Sequence, residues 1–246
     1  FGAIAAASPL LRAFGRGDNH PVLILPGFLA GDSSTAPLRS ILMSQGYWVH
    51  GWRLGRNLGP TPDVVDGLID RIHDLHDRHD RKVSLIGWSL GGIYARRLAR
   101  RWPDLVRQVI TLGSPFRITP DDRSAASALF DRLLPTHVVG VDELLPGFDA
   151  GPLTVPATAI YTRTDGVVRW WQCIEQIGAQ TENIEVLGSH SGLGFNPAAI
   201  YAISDRLAQP DDDWRPFRTP LGMRHFYPHP ADWRPGLTEE TAEALV

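Results

Sequence analysis

The most reactive combination of residue types in this sequence is a serine between two glycines, followed much later by an aspartate and a histidine. Ser89 is the centre of a Gly-x-Ser-x-Gly motif at 87–91, and Asp165 and His190 follow it in that order. A serine hydroxyl is a poor nucleophile at neutral pH unless a histidine accepts its proton and a carboxylate orients the imidazole. These three residue types are therefore sufficient for nucleophilic catalysis if the fold brings them together.

The residues around Ser89 predict a tight turn between a strand and a helix. An apolar run over Val83–Ile86 precedes the motif, and the pattern over Ile93–Arg101 is helical. A Cβ atom at Gly87 or Gly91 would collide with the neighbouring strand and helix, so the glycines have a steric reason. The alternative is an ordinary turn serine with no chemical role.

The candidate partners of Ser89 each follow a later predicted strand. Asp165 follows Ala157–Thr162, and His190 follows Ile184–Leu187. Functional groups in parallel sheets collect at the carboxyl ends of strands, where these residues fall. An Asp-Gly turn and a histidine bound by backbone groups are the alternatives. The competing acids are Asp142 and Asp149, and the other histidines in irregular segments are His137, His225 and His229.

The rest of the chain alternates strand and helix patterns, which predicts an α/β fold. We expect a mostly parallel sheet of about six strands with helices on both faces, in a single domain over 1–246. Two stretches are less regular: 116–156, interpreted as a lid-like insertion or short cap beside the serine turn, and 209–246, an irregular C-terminal tail. The predicted strands are 22–25, 47–49, 83–87, 108–112, 157–162 and 184–187, and the predicted helices are 35–46, 61–80, 93–101, 169–178 and 197–207.

Composition and charge restrict the classes of partner that the protein is expected to bind. A net charge of -3 gives no general attraction to nucleic acid, and we assign no nucleic-acid partner. The single cysteine, Cys173, permits no intrachain disulfide, and no apolar stretch is long enough for a membrane span. We expect a cytoplasmic protein without integral membrane association, with an export signal ahead of Phe1 as the alternative. The oligomeric state stays open.

One histidine-rich segment raises the question of a metal. His73, His76, Asp77 and Asp80 fall on one face of the predicted helix over 61–80. Their spacing matches no fixed metal-ligand motif, so a solvated helix face is the favoured interpretation. We therefore expect no metal and no organic cofactor.

Four separated features of the sequence resemble the α/β-hydrolase superfamily, in particular its bacterial esterase and lipase branch. They are the serine motif, the Ser-Asp-His order, the loop Leu25-Pro26-Gly27-Phe28 and the segment Thr111–Pro115. Pro26 stands where the family more often has histidine. The resemblance implies a catalytic triad of Ser89, Asp165 and His190. It also implies an oxyanion hole made by the backbone N–H groups of Phe28 and Leu90, with Leu29 as an alternative to Phe28.

The function implied by this resemblance is a serine hydrolase that cleaves carboxylic esters through an acyl-enzyme on Ser89. We expect small-molecule or lipid-like esters with short to medium acyl groups, bound by Leu29, Trp88 and Trp170. For Trp170, packing in an aromatic core has equal weight. The alternatives are an acyltransferase, thioesterase or amidase with the same triad, and a non-catalytic binding protein on a hydrolase scaffold.

Overall fold

A six-stranded parallel sheet is the centre of the computed structural model, which describes residues 17–117 and 151–232 together with 237 and 241. The strand order is β2-β1-β3-β4-β5-β6, and every neighbouring pair is parallel. The predicted fold class is confirmed. The strands are β1 (Pro21–Leu25), β2 (Trp48–Gly51), β3 (Val83–Trp88), β4 (Val106–Leu112), β5 (Ala157–Tyr161) and β6 (Thr181–Glu185).

Among the residues that the structure describes, four α-helices cover the two faces of this sheet: α1 (Asp32–Ser44), α2 (Pro62–His79), α3 (Leu90–Arg101) and α4 (Pro197–Leu207). Leu42 of α1 and Ile203 of α4 share one buried cluster with Ile24 of β1. Leu68 of α2 and Leu98 of α3 share a second cluster with residues on the other face of the sheet. Because both faces are covered, the central strands are continuous apolar runs.

Capping residues define where two of the helices begin. The Thr61 side chain accepts a hydrogen bond from the Val64 N–H, with Pro62 in the first turn of α2. The Asn196 side chain accepts from the first free N–H groups of α4, which begins at Pro197. These are the polar side chains and prolines that favour a helix start, which is why the sequence predicts both helices well.

The predicted helix over 169–178 is wrong. Only a single 3-10 turn forms there, at Trp170–Gln172. Within this turn the Gln172 and Cys173 N–H groups donate to the Arg169 and Trp170 carbonyls (3.0 Å each). Other backbone groups of the segment bond to distant partners: the Gln172 carbonyl accepts from the Arg117 N–H (3.1 Å), and the Glu175 N–H donates to Asn183 Oδ1 (2.6 Å). Tertiary hydrogen bonds have therefore replaced the local helical ones.

The last strand lies earlier than predicted, at Thr181–Glu185 instead of 184–187. Because most of its side chains are polar, this strand does not show the apolar run expected of a buried strand, although all five residues are buried. Glu182 pairs with Arg206 of α4 (2.7 Å), and Thr158 Oγ1 donates to the same carboxylate. Buried polar groups are tolerated where such partners exist.

The two irregular stretches are described only in part. Residues 118–150 of the predicted insertion lie outside the described residues, as do Asp142, Asp149 and His137. In the tail, the described residues 209–232 contain a 3-10 helix at Arg224–Phe226. The single-domain assignment and the lid-like insertion stay predictions. Within the described ranges, no helix is long and apolar enough to cross a membrane, and no group of three or more His, Cys, Asp or Glu side chains could hold a metal ion.

Candidate active site

Ser89 occupies a strained turn between β3 and α3. Its backbone has φ 53° and ψ −121°, a conformation that is costly for a residue with a side chain. A Cβ atom at Gly87 would overlap the backbone of Gly91 and Gly92, and one at Gly91 would overlap the Leu25 carbonyl. The structure confirms the steric reason for both glycines of the motif. The turn is held by the Ser89 N–H, which donates to the Leu112 carbonyl (2.9 Å).

Asp165 and His190 form a buried hydrogen-bonded pair. Asp165 Oδ2 lies 2.8 Å from His190 Nδ1. The other carboxylate oxygen accepts from the Val167 N–H (3.0 Å) and the Val168 N–H (2.7 Å). With both oxygens bonded, the carboxylate has a fixed orientation and places the imidazole proton on Nδ1, which leaves Nε2 as the proton acceptor. The His190 N–H also donates to the Asp165 carbonyl (3.0 Å).

Two contacts place this pair beside the serine turn. The Trp88 Nε1–H, next to Ser89 in the chain, donates to the His190 carbonyl (3.1 Å). Gly113, at the end of β4, lies so near the pair that a Cβ atom there would be 3.1 Å from Asp165 Oδ2. Within residues 17–117 and 151–232, Ser89 Oγ itself makes no hydrogen bond to His190. Such bonds are often long before a substrate binds.

The loop after β1 packs directly against the serine. A Cβ atom at Gly27 would lie 3.2 Å from Ser89 Cβ. The N–H of Leu29, the alternative oxyanion donor, donates to the Asn57 carbonyl (2.7 Å). Leu90 is the first residue of α3, where backbone N–H groups have no partner within the helix.

The predicted substrate-binding residues have different surroundings. Leu29 lines an open cavity of about 610 Å³. Trp88 is buried and meets the Phe195 ring edge-on at 5.7 Å. Trp170 is buried in a cluster around Tyr161, whose ring it stacks on at 5.8 Å between centroids. Both tryptophans therefore pack against other aromatic rings, and Trp88 also bonds to the His190 carbonyl. The other residues lining the cavity are Ala30, Gly31, Asp32, Ser33, Ser34, Gly55 and Arg56.

A second Asp-His-Ser chain of hydrogen bonds lies near the opposite end of the strands, and sequence reasoning missed it. Asp18 Oδ1 is 2.5 Å from His20 Nδ1, and His20 Nε2 is 2.9 Å from Ser84 Oγ. Ser84 is fully buried between β1 and β4, where no substrate reaches it. Burial alone would raise the pKa of Asp18, but its bonds to His20 and Arg107 hold this pKa well below its usual range. This chain is structural.

The parallel sheet and the strained serine turn between β3 and α3 define an α/β-hydrolase fold. Solved structures with this fold are similar over most of the chain. The lipase B of Aspergillus fumigatus has a TM-score of 0.62 at 19% identity, covering 80% of this chain and 55% of that one. The monoacylglycerol lipase of Paleococcus ferrophilus has a TM-score of 0.56 at 16% identity, covering 79% and 96%.

Sequence comparisons agree with the fold. A model of the PGAP1-like alpha/beta domain matches residues 53–134. Serine hydrolase BPHL of Homo sapiens is 32% identical over 117 residues, and the pimeloyl-(acyl-carrier protein) methyl ester esterase of Shewanella woodyi is 33% identical over 110. Each alignment covers 44% of this chain and about two fifths of the relative's length (40% and 41%). The chain has the α/β-hydrolase fold, and the predicted resemblance to the serine hydrolases and esterases of that superfamily is confirmed.

Proposed function

We propose that this protein is a serine hydrolase that cleaves carboxylic esters through an acyl-enzyme on Ser89. The observation that carries the proposal is the Asp165–His190 pair, at 2.8 Å and with every carboxylate oxygen bonded, beside a strained serine. A buried structural pair would not require the costly backbone conformation of Ser89. That strain is typical of a nucleophile presented to a substrate.

In the proposed reaction, Ser89 Oγ attacks the ester carbonyl while His190 Nε2 accepts the hydroxyl proton. The backbone N–H groups of Phe28 and Leu90 stabilise the negative charge on the carbonyl oxygen. The bond to the leaving alcohol then breaks, and His190 returns the proton to that alcohol. Water repeats the sequence on the acyl-enzyme and releases the acid. Asp165 stays ionised and orients the imidazole throughout.

The substrates we propose are small or lipid-like esters with short to medium acyl groups. Leu29 lines a cavity whose lining includes none of Ser89, Asp165 and His190, so its proposed substrate contact rests on its place two residues after Gly27, which packs on Ser89. Contacts from Trp88 and Trp170 stay predictions. A curated relative named as a methyl ester esterase supports the ester class.

The test combines substrates with a probe of the serine. A chain-length series of p-nitrophenyl esters and an emulsified triglyceride is assayed with wild type, Ser89→Ala and Ser44→Ala, an exposed serine on α1 that serves as the control. We expect hydrolysis and fluorophosphonate labelling in wild type and Ser44→Ala, and neither in Ser89→Ala. Full hydrolysis by folded Ser89→Ala would contradict the proposal. An unlabelled wild type would point to a binding protein.

Product analysis separates the related chemistries. With water and an added alcohol in competition, an acyltransferase gives mainly the new ester, whereas a hydrolase gives mainly the acid. Matched ester, thioester and amide substrates separate esterase from thioesterase and amidase activity. Preference for the ester in this series is the expected result.

A further inference from the structure

The proposed oxyanion hole takes its two donors from different parts of the chain. Phe28 belongs to the loop after β1, whereas Leu90 begins α3 after the serine turn. Groups that stabilise a transition state must be held within about 0.5 Å of the productive geometry. Some feature of the fold must therefore fix the loop relative to the helix.

Asn57 makes three hydrogen bonds to the loop after β1. Its side-chain Nδ2–H donates to the Pro26 carbonyl (2.9 Å). Its backbone carbonyl accepts from the Leu29 N–H (2.7 Å), and its N–H donates to the Ala30 carbonyl (2.7 Å). These bonds hold the peptide groups on both sides of Phe28.

The same residue also reaches α3. Asn57 Oδ1 accepts from the Tyr94 hydroxyl (3.4 Å) and from the Gly59 N–H (3.2 Å). Tyr94 is fully buried on α3, close after Leu90 in the chain, and burial raises its pKa, so the hydroxyl stays a donor. The Asn57 side chain is fully buried as well. Its amide therefore donates to the loop and accepts from the helix.

We infer that Asn57 is a positioning residue that sets the distance between the two proposed oxyanion donors. This inference rests on the proposed function and adds to it a residue that touches neither substrate nor serine. Donors to the oxyanion act mainly in the transition state. Disturbing Asn57 should therefore lower kcat and leave KM nearly unchanged.

The test compares two buried asparagines. Asn57→Asp keeps the shape and the acceptor but replaces the Nδ2–H donor with an oxygen that faces the Pro26 carbonyl. Asn183→Asp, in β6, is the matched control. The buried Asn183 amide likewise donates to backbone carbonyls, those of Glu175 (3.0 Å) and Ala231 (3.1 Å). Both variants are first checked for folding by chemical denaturation.

For Asn57→Asp we expect kcat to fall by about 10- to 100-fold, with KM within about threefold of wild type. Affinity for a boronic acid that mimics the tetrahedral intermediate should fall in parallel. Asn183→Asp should keep kcat within about threefold of wild type. A loss confined to KM, or the same loss of kcat in both variants, would overturn the inference.

Hydrogen exchange separates this inference from the proposed function. In Asn57→Ala, amides over residues 27–30 should exchange faster than in wild type and in Asn183→Ala, because the loop has lost a bond that fixes it. If wild type hydrolyses no ester and is not labelled at Ser89, the proposed function fails. Amide hydrogen exchange then tests by itself whether Asn57 positions the loop after β1. Unchanged exchange over residues 27–30 would then refute the inference about Asn57.

Discussion

Acidification should destabilise this protein through His20, well before its carboxylates are protonated. The His20 ring is fully buried, with Nδ1 on Asp18 (2.5 Å) and Nε2 on Ser84 (2.9 Å). Burial, together with the positive charge of Arg107, lowers the pKa of His20 from 6.5 to about 4. The folded protein therefore keeps this imidazole neutral at pH values where the unfolded chain protonates it.

The sign and size of the effect follow from this difference. Between about pH 6.5 and pH 4 the unfolded state binds a proton that the folded state does not, so stability falls as the pH falls. The contribution is fully present above pH 6.5. A change in pKa from 6.5 to about 4 corresponds to about 3 kcal/mol of unfolding free energy. For a domain of ordinary stability, this is a large fraction of the total.

Urea denaturation of wild type and His20→Gln over this pH range measures the effect. Burial also lowers the pKa of His50 to about 4, so the pH dependence of wild type alone would not isolate His20. The glutamine amide carries both a donor and an acceptor for Ser84 but does not titrate. The stability advantage of wild type over His20→Gln should shrink by about 3 kcal/mol from pH 7 to pH 4. Parallel curves for wild type and His20→Gln would refute the reasoning, with His225→Gln, a substitution of an exposed histidine, measured alongside as the control.

Three further substitutions test the site and its support. Asp165→Asn should lower kcat by about 10⁴-fold in an esterase assay without unfolding the protein, because the imidazole loses its fixed tautomer; near wild-type kcat would contradict the triad. Gly91→Ala should abolish fluorophosphonate labelling, because its Cβ overlaps the Leu25 carbonyl, and retained labelling would contradict the steric argument. Arg96→Met should cost about 3–5 kcal/mol in denaturation because it leaves buried Glu175 unpaired, and adding Glu175→Leu should recover most of that loss. No recovery in the double variant would show that the lost stability comes from packing.

The fold was predictable where local patterns and tertiary packing agree. The apolar run at Val22–Leu25 is β1, buried on both faces, and helix 197–207 has the bounds expected from its capping asparagine and proline. The error at 169–178 has the opposite cause. There the apolar spacing resembles a helix, but beyond one 3-10 turn the backbone bonds to Arg117 and Asn183 instead of continuing as a helix. Partners so distant in sequence leave no periodic signal.

The candidate site was predictable for a similar reason. Ser89, Asp165 and His190 each follow a strand, and the carboxyl ends of parallel strands meet at one edge of the sheet. Asn57 was missed because nothing in a loop of glycine, arginine and asparagine indicates which backbone carbonyl its amide reaches. Only the observed pairing with Pro26 and Tyr94 identifies it.

The two Asp-His-Ser arrangements show why residue type alone does not decide the chemistry. Asp18, His20 and Ser84 make the hydrogen bonds expected of a catalytic triad, yet Ser84 is enclosed within a regular strand and its backbone is unstrained there. Ser89 lies at the carboxyl end of the same strand, partly exposed and with positive φ. Because a nucleophile must be reached by its substrate, access and backbone geometry, and not the hydrogen-bonded chain, assign the proposed activity to Ser89.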